Sequence, residues 1–378
     1  MSNASNRPKY REILQTLLRE IENGRYRAGE RLPADQEFAS RFAVSRPTIT
    51  KAVQEIERMG LVQRRAGSGT YLNKSAAEPR LVFGQLVPDL GDSEIFEPIC
   101  SQIARTLQSR GHFLQWAGGG AHVPSRENVE SADYACERFI EEGVCGVFFV
   151  PFVTPPGVPN PNERILAKLR KRRIPVILLD RDIVPFPFRS DFDLVGIDHF
   201  RGQGRLAAEL ISLDYRRIHM WVWQNVANTI QLRIAGVRQV MASQLGKCDE
   251  DWIHVCDPSD PAQVSQLWET HKPDAIMCAN DVFAAYLLKT LDKLNIQVPE
   301  ELAVAGYDDV RYANLLRVSL STVSQPCREI GDAAVEAMMF RINHPTAPPQ
   351  EVLLTPQLTL RDSTQKQSDV KLTALDPG

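Results

Sequence analysis

The stretch "PDAIMCANDVFAAYLLKTLDKLNIQVPEELAVAGYDD", Pro273 to Asp309, holds two apolar runs, DAIMCA and ELAVAGYD, on either side of a helical pattern. An apolar strand, a helix and a second apolar strand make a unit whose strands run parallel, buried on both faces. The same alternation extends outward in both directions. Toward the N-terminus lie LVFGQLV, GVFFV, IPVILLD, DLVGID and RIHMWVW, separated by amphipathic stretches such as PICSQIARTLQSRG and RGQGRLAAELISLD. About 285 residues of this pattern exceed what one sheet needs, so two parallel α/β lobes are expected. Ligands of such sheets sit beyond the carboxyl ends of the strands.

Before this body the character changes. Residues 1–74 carry 14 Lys and Arg against 8 Asp and Glu, net +6, while the remainder is net −9. A small basic module facing a polyanion and a larger acidic module with another task are implied. "NKSAAEPR", Asn73 to Arg80, has linker composition, and residues 75–80 are taken as the linker. Three helical patterns precede it: one carrying Ile13, Leu17, Leu18 and Ile21, one from Asp35 to Phe42, and one from Arg46 to Met59. In the third, Ser45 suits an N-cap, Pro47 fits the first turn, and Ile49, Val53 and Ile56 form the buried stripe. Arg46, Thr48, Thr50 and Lys51 then gather at its positive end, where free N–H groups favour phosphate and Arg reaches base edges. LVQRR and GTYLN, joined by AGSG, make a hairpin carrying Arg64 and Arg65.

Lys9 to Leu72, with its LP, VSRPT and GLVQRRAGSGT segments, resembles the winged helix-turn-helix of the GntR family. That resemblance implies a homodimer on palindromic double-stranded operator DNA, with the third helix in the major groove and the wing tip at the minor groove. It assigns DNA contacts to Gln36, Ser45, Arg46, Thr48, Thr50, Lys51, Arg65 and Gly67. Gln36 and Thr50 stand where many relatives carry Arg, which leaves the operator sequence open. Ile174 to Asp182, Val195 to Ile218, Pro273 to Asp309 and Leu320 to Met339 resemble, in order, the effector domain of LacI-type repressors, and LTLRDST closes it. This likeness, from about Leu81 to Thr364, implies a periplasmic-binding-protein-like body of two lobes joined by three crossovers around a small molecule. The combination is most similar to the arabinose-repressor subfamily.

The expected division is 1–74 head, 81–365 body and 366–378 tail. Lobe one is expected at about 81–214 with 308–325, and lobe two at about 215–307 with 326–365. A polyhydroxylated ligand calls for directional Asp, Asn and Arg groups and aromatic covers. Effector candidates are Asp89, Ser93, Phe96, Phe152, Trp223, Asn228, Arg233, Asp281 and Asp308, with Asp180 and Arg181 at strand ends facing the same cleft. Asp281 is also placed to cap the helix that follows it. The implied function is a sugar-responsive transcription regulator, a repressor of carbohydrate-use genes; the alternatives are the same architecture sensing a purine or amino acid, or a nucleotide-dependent enzyme.

Three further readings set limits. "GQGRLA", Gly202 to Ala207, has the form of a dinucleotide fingerprint, but the resemblance carries a similar helix start without a cofactor. The seven histidines are isolated along the chain and no catalytic motif occurs, so no enzyme, cofactor or metal is expected. Seven dispersed cysteines without C-x-x-C spacing suit reduced thiols. With no apolar run of membrane length and no signal region, a cytoplasmic location away from membranes is expected.

Overall fold

The computed structural model describes residues 9–22, 25–27, 29–65, 67–73, 80–87, 94–117, 126–153, 160–224, 227–246 and 251–366. Asp89 and Ser93, most of the expected linker and all but the first residue of the expected tail lie outside them. The chain divides into two compact units, a head and a body.

The head consists of α1 (Lys9–Glu22), α2 (Asp35–Phe42), α3 (Arg46–Arg58) and the hairpin β1 (Val62–Arg65) with β2 (Gly69–Leu72), antiparallel with Val62 opposite Leu72. Its core takes Ile13, Leu17 and Ile21 from α1 and Phe38 from α2. The expected stripe Ile49, Val53 and Ile56 of α3 is essentially inaccessible. Helical spacing thus places one apolar row of each helix inward. Ala43 ends α2 in the left-handed conformation (φ 50°), which turns the chain sharply into α3.

The body runs β3 (Val82–Leu86), α4 (Phe96–Ser109), β4 (Phe113–Ala117), α5 (Arg126–Glu141), β5 (Val147–Phe149), α6 (Pro161–Lys171), β6 (Val176–Leu179) and β7 (Asp193–Ile197). It continues with α7 (His199–Ser212), β8 (Ile218–Val222), α8 (Thr229–Leu245), β9 (Ile253–Val255), α9 (Pro261–His271), β10 (Ala275–Cys278), α10 (Asp281–Lys293) and β11 (Ala303–Ala305). Last come β12 (Thr322–Ser324), α11 (Cys327–Asn343), β13 (Glu351–Leu354), β14 (Gln357–Thr359) and a 3-10 turn at Asp362–Thr364. One sheet is ordered β13-β7-β6-β5-β3-β4 and the other β11-β10-β8-β9. Parallel pairing runs from β13 through β3 in the first and throughout the second. β12 pairs antiparallel with β14 and meets the second sheet through parallel bridges Ala305–Ser321 and Asp308–Ser324.

The lobe boundaries differ from the sequence expectation. Helix α7 packs on α8, β12 and β14, so 199–212 belongs to lobe two rather than lobe one. Segment 308–325 also belongs to lobe two, because β12 adds to that lobe's sheet. Conversely α11 covers β6 and β7, and β13 pairs with β7, so 327–354 belongs to lobe one. The physical reason is strand pairing, which chain order alone does not specify. The chain therefore crosses between lobes at Asp198, at Gln325–Pro326 and at Thr355–Pro356.

GQGRLA lies inside α7 rather than ahead of it, and its glycines serve packing. A Cβ on Gly236 of α8 would stand 2.0 Å from the Phe200 carbonyl oxygen, and one on Gly204 would stand 3.2 Å from the Gly236 oxygen. The first turn of α7 is occupied by the Asp198 carboxylate, which accepts the Arg201 N–H at 2.9 Å. An anion already fills the place a pyrophosphate would take.

Candidate DNA-binding face and effector cleft

At the start of α3, Gln36, Ser45, Arg46 and Thr48 line one shallow concavity of about 620 Å³ between α2 and α3. Arg46 is exposed and, among the described residues, unpaired. Ser45 occupies the N-cap position, but its hydroxyl meets the Thr48 hydroxyl at 2.8 Å instead of a backbone N–H. Thr50 is placed differently from expectation. Half-buried, it donates to Asp35 at 2.8 Å, and Arg64 donates to the same carboxylate oxygen at 3.2 Å. Asp35 therefore joins α2, α3 and the hairpin, which makes Thr50 part of a joint in this head. Lys51 lies over the Tyr10 ring at 4.4 Å and Arg65 over Tyr71 at 4.6 Å, both exposed. Gly67 sits at the hairpin tip with φ 71°, a conformation that suits glycine.

In the body, a cleft of about 790 Å³ opens between the start of α4 and the segment after β11. Glu94, Gln102, Asp308, Tyr312, Gln325 and Arg328 contribute its polar lining. Asp308 follows β11 with φ 117°, and Gln325 at the second crossover donates to its Oδ1 at 2.7 Å. Burial pushes the Asp308 carboxyl up to about 6, against the charge of Arg233 and the Gln325 hydrogen bond.

Deeper, a buried polar network spans the lobes. Arg233 donates from Nε to His199 Nδ1 at 3.3 Å and from Nη1 to the Ala279 carbonyl at 2.7 Å, and it lies 3.6 Å over the Tyr307 ring. With Nδ1 accepting, the His199 proton sits on Nε2, which faces Asp180 Oδ1 at 3.4 Å. Burial, against the raising effect of Asp180 and with the help of the Arg233 charge, lowers the His199 pKa. Burial acts to raise Asp180, but the His199 hydrogen bond and the charges of Arg181 and Arg233 outweigh it and hold it well below the usual carboxylate range. Arg181 binds Asp180 at 2.7 Å and the Pro151 carbonyl at 2.8 Å, and lies 5.6 Å over Phe96.

The remaining candidates separate into cleft and core. Trp223, half-buried after β8, meets Phe283 edge-on at 5.0 Å and Tyr286 at 6.2 Å, an aromatic group at a strand end. Phe96 is buried beneath Arg181. Phe152 belongs to the lobe-one core, with its backbone clamped by Asn162 at 2.8 and 3.0 Å, so its side chain packs rather than lines. Asn228 is exposed and borders a separate concavity of about 290 Å³ shared with Asp180 and Asp198. Asp281 is fully buried: its oxygens accept from Thr322 at 2.7 Å and from the Val310 N–H at 2.9 Å. The cap of α10 is Asn280, which accepts the Phe283 N–H at 2.9 Å, so the capping role given to Asp281 moves one residue earlier. Sequence reasoning missed His199, Gln325 and Tyr312. The first two sit at crossovers, a position visible only once strand pairing is known.

One expectation about composition also changes. His219, His254 and His271 are brought together in lobe two, so these histidines are not isolated.

Residues 9–72 match the bacterial regulatory proteins of the gntR family, and residues 207–364 match the periplasmic binding protein-like domain. The chain is 24% identical over 370 residues to the arabinose metabolism transcriptional repressor of Geobacillus stearothermophilus, covering 95% of this chain and 98% of that one. Over 207 residues it is 31% identical to the HTH-type transcriptional repressor PurR of Escherichia fergusonii, covering 53% and 60%. Among solved structures, a transcriptional regulator CelR–cellobiose complex aligns with TM-score 0.63 at 20% identity, over 88% of this chain and all of that one. A LacI family regulator from Enterococcus faecium with bound ribose gives 0.60 at 21%, over 75% and 98%. At these identities the structural likeness establishes the fold. Among the described residues, no helix is long and apolar enough to cross a membrane. Head and body together make the chain a DNA-binding transcription regulator and not an enzyme, with a gntR-type domain over residues 9–72 and a periplasmic binding protein-like domain over residues 207–364.

Proposed function

We propose that the protein is a cytoplasmic, homodimeric repressor of carbohydrate-use genes that leaves a palindromic operator when a sugar-like effector enters the cleft. The observation that carries this reading is Asp308, placed after β11, held by the crossover residue Gln325 and opening into a polar cleft near which Trp223 at the end of β8 meets Tyr286 of α10. A carboxyl and amide pair accepts from and donates to hydroxyls, while aromatic faces cover sugar C–H groups. The likeness to an arabinose metabolism repressor along 95% of the chain supports the same class. Gln36, Ser45, Arg46, Thr48, Lys51, Arg65 and Gly67 make the operator contacts in this reading, with Thr50 positioning the helix. Effector binding releases the operator only if the effector prefers the state with lower DNA affinity. Thermal-shift titration against pentoses, hexoses, uronic acids and purines tests it. Stabilisation by one sugar, and release of operator DNA by that sugar, is the expected result. A response to purines alone, or to no sugar, overturns the carbohydrate assignment.

A further inference from the structure

Lobe two carries a second constellation in which none of the cleft residues takes part. His219 on β8 and His254 on β9 face the same side of the sheet, because His254 pairs in register with Trp221, two residues on from His219. Their rings stack at 5.1 Å, 9° from parallel, with His219 Nδ1 2.8 Å from His254 Nε2. His271, the last residue of α9, closes over them with its ring 4.3 Å from that of His254. One nitrogen from each ring lies within 4.8 Å of the other two. At the rim the exposed Asp251 carboxylate stands 3.5 Å from His271 Nδ1.

We propose that His219, His254 and His271, with Asp251 as the outer fourth donor, bind a divalent transition ion of the zinc class. The ion pins edge strand β9 and the end of α9 to β8. Imidazole nitrogens with one carboxylate suit a tetrahedral Zn²⁺, whose nitrogen ligands stand about 2.0–2.1 Å from the metal and hence about 3.4 Å from one another. The His219–His254 pair already approaches that separation, and His271, at a helix end, has the freedom to close the remainder. In the ion-free pair one ring donates and the other accepts. On binding, the donor ring moves its proton to its other nitrogen, and neutral rings lose none.

The full chain, dialysed against chelator, is titrated with ZnCl₂ and with CoCl₂. The expected result is one ion per chain, a raised unfolding temperature, altered fluorescence from Trp221, which lies 6.3 Å edge-on to His254, and the visible absorption of tetrahedral cobalt. His254→Gln and His271→Gln should each weaken binding at least ~100-fold, beyond what loss of an outer-shell partner costs, and Asp251→Asn by roughly tenfold. His271→Gln, at a helix end, decides the matter if the His254 variant does not fold. Its ion-free unfolding temperature should match that of the ion-free parent while the metal-induced rise disappears. No uptake at one ion per chain, or equal affinity in His271→Gln, overturns the site.

Discussion

Arg46 and Asp281 show how differently two charged residues of one chain are used. Arg46 is exposed at the positive end of α3, so its removal costs the fold little. Arg46→Ala should weaken specific operator binding by about 1–3 kcal/mol for each half-site while leaving thermal unfolding unchanged. Normal footprinting by that variant would refute the placing of α3 on DNA. Asp281 is the reverse, wholly enclosed, and burial followed by the neighbouring Asp308 charge pushes its carboxyl up to about 8. A raised carboxyl favours the protonated native state. Its contribution to stability is therefore complete below the unfolded value of about 3.9 and is lost as pH rises through the folded value. Asp281→Asn, neutral throughout, should flatten the fall in unfolding temperature between about pH 4 and about pH 8. An undiminished slope in that window would show that Asp281 stays ionised.

At the scale of elements, the α7–α8 contact is the tightest helix pairing described. With Gly236 against the Phe200 carbonyl, any side chain must push two backbones apart. Gly236→Ala should cost about 1–3 kcal/mol in denaturant unfolding, and a loss below half of that would mean the helices separate freely. The same contact explains why GQGRLA resembles a nucleotide fingerprint: helix packing and phosphate cradles both select glycine, and sequence does not distinguish them. Internal strands β3, β5, β6, β7, β8, β10 and β11 were legible because both their faces are buried, which leaves continuous apolar runs. Edge strands β4, β9 and β13 were not. β13 exposes alternate residues, and three-residue β9 gives no period to detect. The buried stripe of α3 was legible from spacing, whereas the tie from Thr50 to Asp35 depends on how α2 and α3 cross. The histidine cluster was invisible for a related reason: only the β8–β9 register brings positions 219 and 254 together.

For the whole molecule, the crossovers are where effector binding and lobe geometry meet. Gln325 sits on one of them and holds Asp308 in the cleft. Gln325→Ala should therefore lower effector affinity and effector-driven operator release, while operator affinity without effector stays as in the parent. Paired thermal-shift and DNA-binding titrations check this, and equal release by parent and variant would remove Gln325 from the coupling. The crossovers also decide when the body can fold during synthesis. Helix α11 and strand β13, which complete lobe one, are translated after nearly all of lobe two. Until they leave the ribosome, the faces of β6 and β7 that α11 covers stay bare, and β7 lacks its outer neighbour. A nascent chain halted near residue 325 would thus hold an unfinished first lobe beside an almost finished second one. The segment translated first in the body is among the last to be sealed.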